Sequence, residues 1–313
     1  MIVYHYCSFD TFMAIIKHKT LRLSEITKSN DSKEVIWITR FIEEVFRDAY
    51  NKNASKRLSA KFPEMAFMEM VEHYRNDFFN EKHPIYSFFV TCFSEADDGD
   101  LLSQWRGYAD DGKGVAIGFD GDVLSQIRQS SFGDPIINPL LNFDKVEYTE
   151  RSQKATIKRI ANQLIDTLKD ICNMQNMDDI GTFKYHSMRY FNKSFLELFK
   201  QSVFMKNPFF REEREYRLCF WTDTRFTKTT KPEIEGIHLD DGLKFEKLGF
   251  QNKSGRLVSY VDLNFSESNK PFIKEIIIGP KSLFTESDVI NYLCDNEIYI
   301  DEKNVSLSKG TYR

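Results

Sequence analysis

The segment Arg211-Glu-Glu-Arg-Glu-Tyr-Arg217 holds the densest chemistry in the chain. If it is extended, Glu213, Glu215 and Arg217 project to one face. Such a face is costly to bury without partners. Arg217 would then position Glu215, leaving a carboxylate to stabilise developing positive charge or orient a nucleophile. A solvated sheet face with cross-strand ion pairs has the same pattern. Tyr4-His5-Tyr6 is a second candidate. On a strand the two tyrosines share one face and His5 takes the other, where it would hydrogen-bond a sugar or diphosphate, or sit satisfied in the interior. Ser24 precedes Asn30, Asp31 and Glu34, and Asn-Asp before a helix is also a natural turn and N-cap. Trp105 and Tyr108 are neighbours if helical and would stack on a base, a nicotinamide ring or the core. Gly112 and Gly114 beside them permit close backbone approach to a ligand, and Asp110-Asp111-Gly112 fits a hairpin turn. Glu95, Asp97, Asp98 and Asp100 are the residues a metal-dependent nuclease would use, although acidic loops more often stay solvated.

Several signatures are absent. The chain has no G-x-x-x-x-G-K-[ST], G-x-G-x-x-G, H-E-x-x-H or G-x-S-x-G. Its six histidines show no ligand-like spacing with cysteine, so no metal is expected. A net charge of −4 argues against broad nucleic-acid binding. The stretch Lys193 to Lys231, basic with Phe and Trp interleaved, leaves open a local basic cleft or a solvated face over an aromatic core. The five cysteines are odd in number, widely spaced and without C-x-x-C, as in a reduced cytoplasmic protein. No signal design opens the chain, and no stretch approaches the roughly 18 apolar residues of a membrane span.

The elements that must position these residues are legible in outline. Val3 to Tyr6, Thr20 to Ser24, Ile85 to Phe93, Gly114 to Phe119, Lys145 to Tyr148, Tyr216 to Trp221 and Ile273 to Ile278 are predicted strands, the near-continuous apolar runs among them covered on both faces. Asp10 would cap a helix to about Lys17, with Phe12, Ile15 and Ile16 facing inward. Helices are also predicted over 33–50, 58–80, 153–173 and 187–204, with loop at 51–57. Thr285 would start a last helix, with Asp288 placed for a capping box. The 28 Phe and 14 Tyr imply an aromatic-rich core. The expected architecture is one α+β domain over 1–313: a mixed, mainly antiparallel sheet flanked by helices, with a helical insertion at about 150–206.

The same segments resemble a bacterial family known as a domain of unknown function, number 2971. The resemblance rests on Tyr4-His-Tyr6, Ser24, Asn30-Asp31, Glu34, Cys92 to Glu95, Trp105, Tyr108, Ala109, Gly114 to Phe119, Glu213 to Arg217 and Ile276 to Pro280, in order across nearly the whole chain. The layout is more distantly similar to ADP-ribosyltransferase-like toxins and defence proteins. That similarity implies catalytic roles for His5, Ser24 and Glu215, with Glu213 as an alternative carboxylate. The glutamate would hold the nicotinamide-side ribose and stabilise an oxocarbenium-like transition state. Tyr4, Tyr6, Asn30, Trp105, Tyr108 and Arg217 would bind NAD. The implied acceptor is nucleic acid or protein, in a toxin or anti-phage setting with an antitoxin or operon partner. The alternative is a non-catalytic nucleotide or nucleic-acid sensor of a defence system.

Overall fold

The computed structural model describes all residues except 29–32, 81–85, 96–98, 128–139, 175–178, 224–238, 240–241, 254 and 313. They form two compact units, one from residues 1–29, 86–146 and 211–313 and one from 30–85 and 147–210. The helices expected as an insertion over 150–206 fall in the second unit, together with 30–85.

The first unit is built on one eleven-stranded sheet. Its strands are β1 (Ile2–Cys7), β2 (Thr20–Glu25), β3 (Tyr86–Ser94), β4 (Val115–Asp120), β5 (Leu140–Lys145), β6 (Glu215–Asp223), β7 (Lys244–Phe245), β8 (Gly249–Lys253), β9 (Arg256–Asn264), β10 (Ile273–Ile278) and β11 (Val305–Leu307). The order is β11-β10-β4-β1-β3-β2-β9-β7, with β6 on β3, β5 on β6 and β8 on β9. Every pairing is antiparallel except β10 with β11, so the fold is α+β around a mixed, mainly antiparallel sheet.

β3 branches the sheet. β6 runs along one edge of it from Tyr86↔Asp223 to Ser94↔Glu215. The other edge is shared: β1 meets it at Tyr4↔Ser94, and β2 at Ser24↔Val90 and Glu25↔Phe89. Between these contacts the ladder skips residues 91–93, so the sheet splits between β1 and β2.

Alternation along the strands sorts the side chains. Val3, Phe93, Ile117, Phe119, Leu218, Phe220, Ile276 and Ile278 form the main core. It is closed by Phe12 and Ile16 of α1 (Phe9–His18) and by Val289 and Leu293 of the last helix, α9 (Glu286–Asp295). Helices are numbered in chain order. The opposite face carries Tyr4, Tyr6, Ala116 and Ile277, packed under Trp105 and Ala109 at α5 (Leu102–Tyr108). β4 is therefore covered on both faces, as its apolar run implied. A short α6 (Gly121–Gln126) completes this unit's described α-helices.

In the second unit, α2 (Thr39–Asn53), α4 (Glu64–Phe78), α7 (Glu150–Asn173) and α8 (Ile180–Ser202) pack an aromatic core, with Phe46 5.4 Å from Phe195 and Phe67 5.5 Å from Phe191. The helix expected from Lys33 starts later. Val35 has φ 71°, and a 3-10 turn at Ile36–Ile38 precedes α2. The expected loop at 51–57 is mostly helix, because α2 runs to Asn53 and Ser55 caps α3 (Lys56–Lys61). Pro63, which has no N–H to give, separates α3 from α4.

Four details of the first unit differ from expectation. The N-cap of α1 is Ser8, whose Oγ accepts from Thr11 N at 3.2 Å, while Asp10 lies inside the first turn. The strand expected at Lys145 to Tyr148 ends at Lys145. Asp110-Asp111-Gly112 is a 3-10 turn linking α5 to β4, not a hairpin. Gly114 faces backbone, not ligand: a Cβ there would lie 2.1 Å from Cys7 O. The Thr285–Asp288 capping box is present.

Asp100 ties α5 to the end of the chain. Its Oδ1 accepts from Trp105 Nε1 and from Ser308 Oγ, both at 2.6 Å, and its Oδ2 accepts from Lys309 N at 2.6 Å. Trp105 is 1% exposed, so removing the acceptor strands a buried N–H. Asp100→Ala is expected to lower the unfolding free energy by about 2 kcal/mol, read from urea denaturation. An unchanged midpoint would show that water replaces the carboxylate.

Candidate functional site

The site is assembled where β6 begins. Arg214 has φ 44°, in the left-handed region, so the extended run starts only at Glu215. Glu213 therefore lies at the end of a 3-10 turn and does not share a strand face with Glu215, contrary to the extended reading. Backbone clamps hold this corner to the end of β3: Ser94 Oγ donates to Glu213 O at 2.9 Å, and Glu95 N donates to Arg214 O at 2.8 Å.

Two carboxylates flank Arg214 in different surroundings. Glu215 is 5% exposed and Arg217 1% exposed, and Arg217 donates through Nε (2.9 Å) and Nη2 (2.6 Å) to Glu215 Oε2. The i, i+2 spacing on a strand is what lets them meet. Glu213 is half-buried and accepts from Tyr108 Oη at 3.0 Å on Oε1. Burial, with Glu213 and Glu215 nearby, pushes the Tyr108 pKa well up, so its hydroxyl stays a donor.

The remaining expected residues separate. Glu215 stands opposite Ser94, which stands opposite Tyr4 on β1. Ser24 is on the same face, opposite Val90. It lies two rows further along, on the order of 13 Å from the Glu215 row, and its Oγ accepts from Gln251 Nε2 at 3.3 Å. His5 points to the opposite face, against Phe93, with Nδ1 2.9 Å from Cys92 O. The structure therefore does not bring His5, Ser24 and Glu215 together.

Most of the aromatic residues expected to bind NAD are engaged internally. Tyr4 donates to Glu275 Oε1. Tyr6 Oη donates to Gly99 O at 2.7 Å and accepts from Leu101 N at 3.0 Å. Trp105 packs edge-on to Tyr6 at 4.9 Å. Of the aromatic candidates Tyr108 alone is well exposed, at 42%. Asn30 and Asp31 lie outside the described residues, as do Asp97 and Asp98. Glu34 pairs with Lys206 at 3.8 Å within the second unit, and Glu95 pairs with Lys145. Among the described residues no group of three or more His, Cys, Asp or Glu is placed to hold a metal. No described helix is long and apolar enough to cross a membrane.

Beside this corner lies an open groove of about 700 Å³, to which the basic stretch Lys193 to Lys231 contributes Arg211 and Arg214. Leu101, Leu102, Ser103 and Arg106 of the α5 segment line one part, and Arg211, Glu212 and Arg214 line the rest. Arg106, Arg211 and Arg214 form no ion pair with any described residue; Arg106 rests 5.6 Å over the Tyr312 ring. Two positive charges in excess of Glu212 converge on the groove. Planar guanidinium forks suit phosphate oxygens better than any other protein cation does. The signal in the sequence was the spacing of Arg211 and Arg214 about the two glutamates, and Arg106 joined them only through the fold.

Residues 104–218 match the family described as Protein of unknown function (DUF2971). This is the family the sequence resembles. The DUF2971 segment runs from Gln104 in α5 to Leu218 in β6, so Tyr108, Glu213, Glu215, Arg217 and the three groove arginines all fall within it. No curated protein and no solved structure matches the chain.

Two predictions separate structural from chemical roles here. Glu215→Gln removes a charge partner from a buried guanidinium and is expected to lower stability by about 3 kcal/mol. Glu213→Gln, at a half-buried position, is expected to change stability by less than about 1 kcal/mol. Equal melting temperatures for the two variants would show that Arg217 does not depend on Glu215. The second concerns His5, whose burial holds its pKa below 6.5 despite the Cys92 carbonyl. Because the unfolded chain binds the proton more readily, the His5 contribution is complete above the unfolded value and is lost as pH falls below it. The urea midpoint should therefore fall less between about pH 7.5 and pH 5.5 in His5→Gln than in the parent, and equal slopes would contradict this.

Proposed function

We propose that this protein binds a phosphate-bearing nucleotide in the arginine groove at the β6 corner. The observation that carries this reading is the convergence of Arg106, Arg211 and Arg214, none ion-paired among the described residues, beside two carboxylates and a tyrosine hydroxyl. An anion held there by bidentate hydrogen bonds would lie next to Glu213 and Tyr108, which can hydrogen-bond sugar hydroxyls.

With NAD as the nucleotide, the fuller reading is ADP-ribosyl transfer. The bond between nicotinamide nitrogen and ribose C1′ breaks, its electron pair leaves with nicotinamide, and an acceptor nucleophile on nucleic acid or protein attacks C1′ and releases a proton. Glu213 is the better-placed carboxylate for holding the ribose, because Glu215 is buried against Arg217. Glu215 then acts by fixing Arg217. A toxin or anti-phage setting in the cytoplasm, with an antitoxin partner, belongs to this fuller reading. The sensor reading, in which nucleotide binds without turnover, is favoured by the placement of His5 on the other face of the sheet from Glu215.

The test is a thermal-shift and label-transfer experiment on the full chain with NAD, ADP-ribose and ATP, using Arg211→Gln and Glu213→Gln. Nucleotides should raise the melting temperature of the parent, and Arg211→Gln should weaken binding by about tenfold, as for loss of one charge-assisted hydrogen bond. Label transfer from NAD that Glu213→Gln loses at unchanged stability supports the transferase. Binding without transfer or hydrolysis supports the sensor. If none of the three nucleotides binds, the groove reading fails.

A further inference from the structure

We propose that the split between β1 and β2 is a second binding site, one that takes an organic cation: a guanidinium or primary ammonium group. The site is distinct from the arginine groove and does not rest on the nucleotide reading. It is a groove of about 580 Å³ bounded by His5 of β1, by Asp10, Thr11 and His18 of α1, and by Arg22, Glu246 and Asp262 beyond the split.

The opening exists because β3 cannot be paired continuously on this edge. Its ladder passes from Tyr4↔Ser94 to Ser24↔Val90, and His5 crosses the gap to bond Cys92 O. A carbonyl only accepts, so Nδ1 must carry the proton and Nε2 is left with a lone pair. Burial keeps the ring neutral, which preserves that lone pair.

The polar groups of the lining set the ligand class. The groove's guanidinium and amide donors, all beyond the split, are already engaged. Arg22 bonds Asp262 through Nε (2.9 Å) and Nη2 (3.0 Å) and Gln251 through Nη1 (3.1 Å), and covers the Tyr260 ring at 3.5 Å. Gln251 Nε2 bonds Ser24, and Asn264 Nδ2 bonds Glu246 Oε1 at 2.7 Å. The acceptors are not all engaged. His5 Nε2, the Asp10 carboxylate and the second oxygen of Glu246 have no partner among the described residues. With Arg22 neutralised by Asp262, Asp10 and Glu246 leave the groove two negative charges. Acceptors and negative charge around one opening match a ligand with several N–H donors and a positive charge. An anion matches neither.

The cation could be a free amine or an arginine or lysine side chain on a peptide, and the experiment separates these. Calorimetric titration of the full chain uses two probes: agmatine, and a blocked tripeptide with a central arginine. At least one should bind, more weakly at higher salt. Asp10→Asn and Glu246→Gln should each weaken it about tenfold, near 1.4 kcal/mol, with melting temperatures close to the parent's. Tighter binding of the peptide assigns the site to protein side chains, and tighter binding of agmatine assigns it to free amines. If neither probe binds at millimolar concentration, or if both variants bind as the parent does, the proposal is wrong.

Discussion

Nine consecutive residue pairs lock β3 to β6, from Tyr86↔Asp223 to Ser94↔Glu215, and the rest of the first unit depends on that register. Side chains alternate with period two, so a slip by one residue would exchange the faces. Leu218 and Phe220 would leave the main core, and Arg217 would enter it. The hydrophobic core therefore selects the register that puts Glu215 and Arg217 together on the other face. The ion pair does not drive the fold, since burying two charges costs about what their attraction returns. It is placed by the apolar residues between and beside its members. Once placed, it penalises any rearrangement that would separate them.

The same register brings β6 to its start where β3 ends, and this is where the chain turns through Arg214. α5 has only seven residues, too few to be stable alone. Its position comes from Tyr6, which holds Gly99 and Leu101, and from Asp100, which joins Trp105 to the segment at 308–309. Gly99, at φ 64°, lies so close to the Tyr4 ring that a Cβ would sit 2.3 Å from it. Tyr4, Tyr6 and Trp105 thus serve function at one remove. They fix the helix that carries Arg106 and Tyr108 to the corner.

Much of this was legible in the sequence, for identifiable reasons. The strands of the core are near-continuous apolar runs, and α7 and α8 carry apolar residues at helical spacing, signals set by burial alone. The Arg217–Glu215 pair was legible because i, i+2 on a strand needs no knowledge of the fold. The hairpin of β8 and β9 was not recognised, although Val261 and Leu263 alternate inward with Tyr260, Asp262 and Asn264 on the other face. Its polar face is as rich as a loop, and only pairing with β2 makes it a strand. The predicted strand from Tyr216 starts one residue late, and the extended reading of 211–217 carries it two residues too far back, to Glu213, because a left-handed Arg214 has no compositional mark.

The separation of His5 from Glu215 shows where inference from one strand at a time must stop. Alternation correctly put Tyr4 and Tyr6 on one face and His5 on the other. It could not say which of those faces Glu215 shares, because that depends on the pairing of β1 with β3 and of β3 with β6. The register Tyr4↔Ser94↔Glu215 supplies the answer: the tyrosines are on the carboxylate's face, and the histidine is on the face of the main core. A layout that requires a first-strand histidine beside a late-strand glutamate would need β1 shifted by one residue. That shift would drive Val3 and Cys7 out of a core in which they are 0% and 4% exposed, and would put Tyr4 and Tyr6 into it. His5 is therefore held at the split by the same packing that holds Arg217 against Glu215. Any activity of this protein must work with those two groups on opposite sides of one sheet.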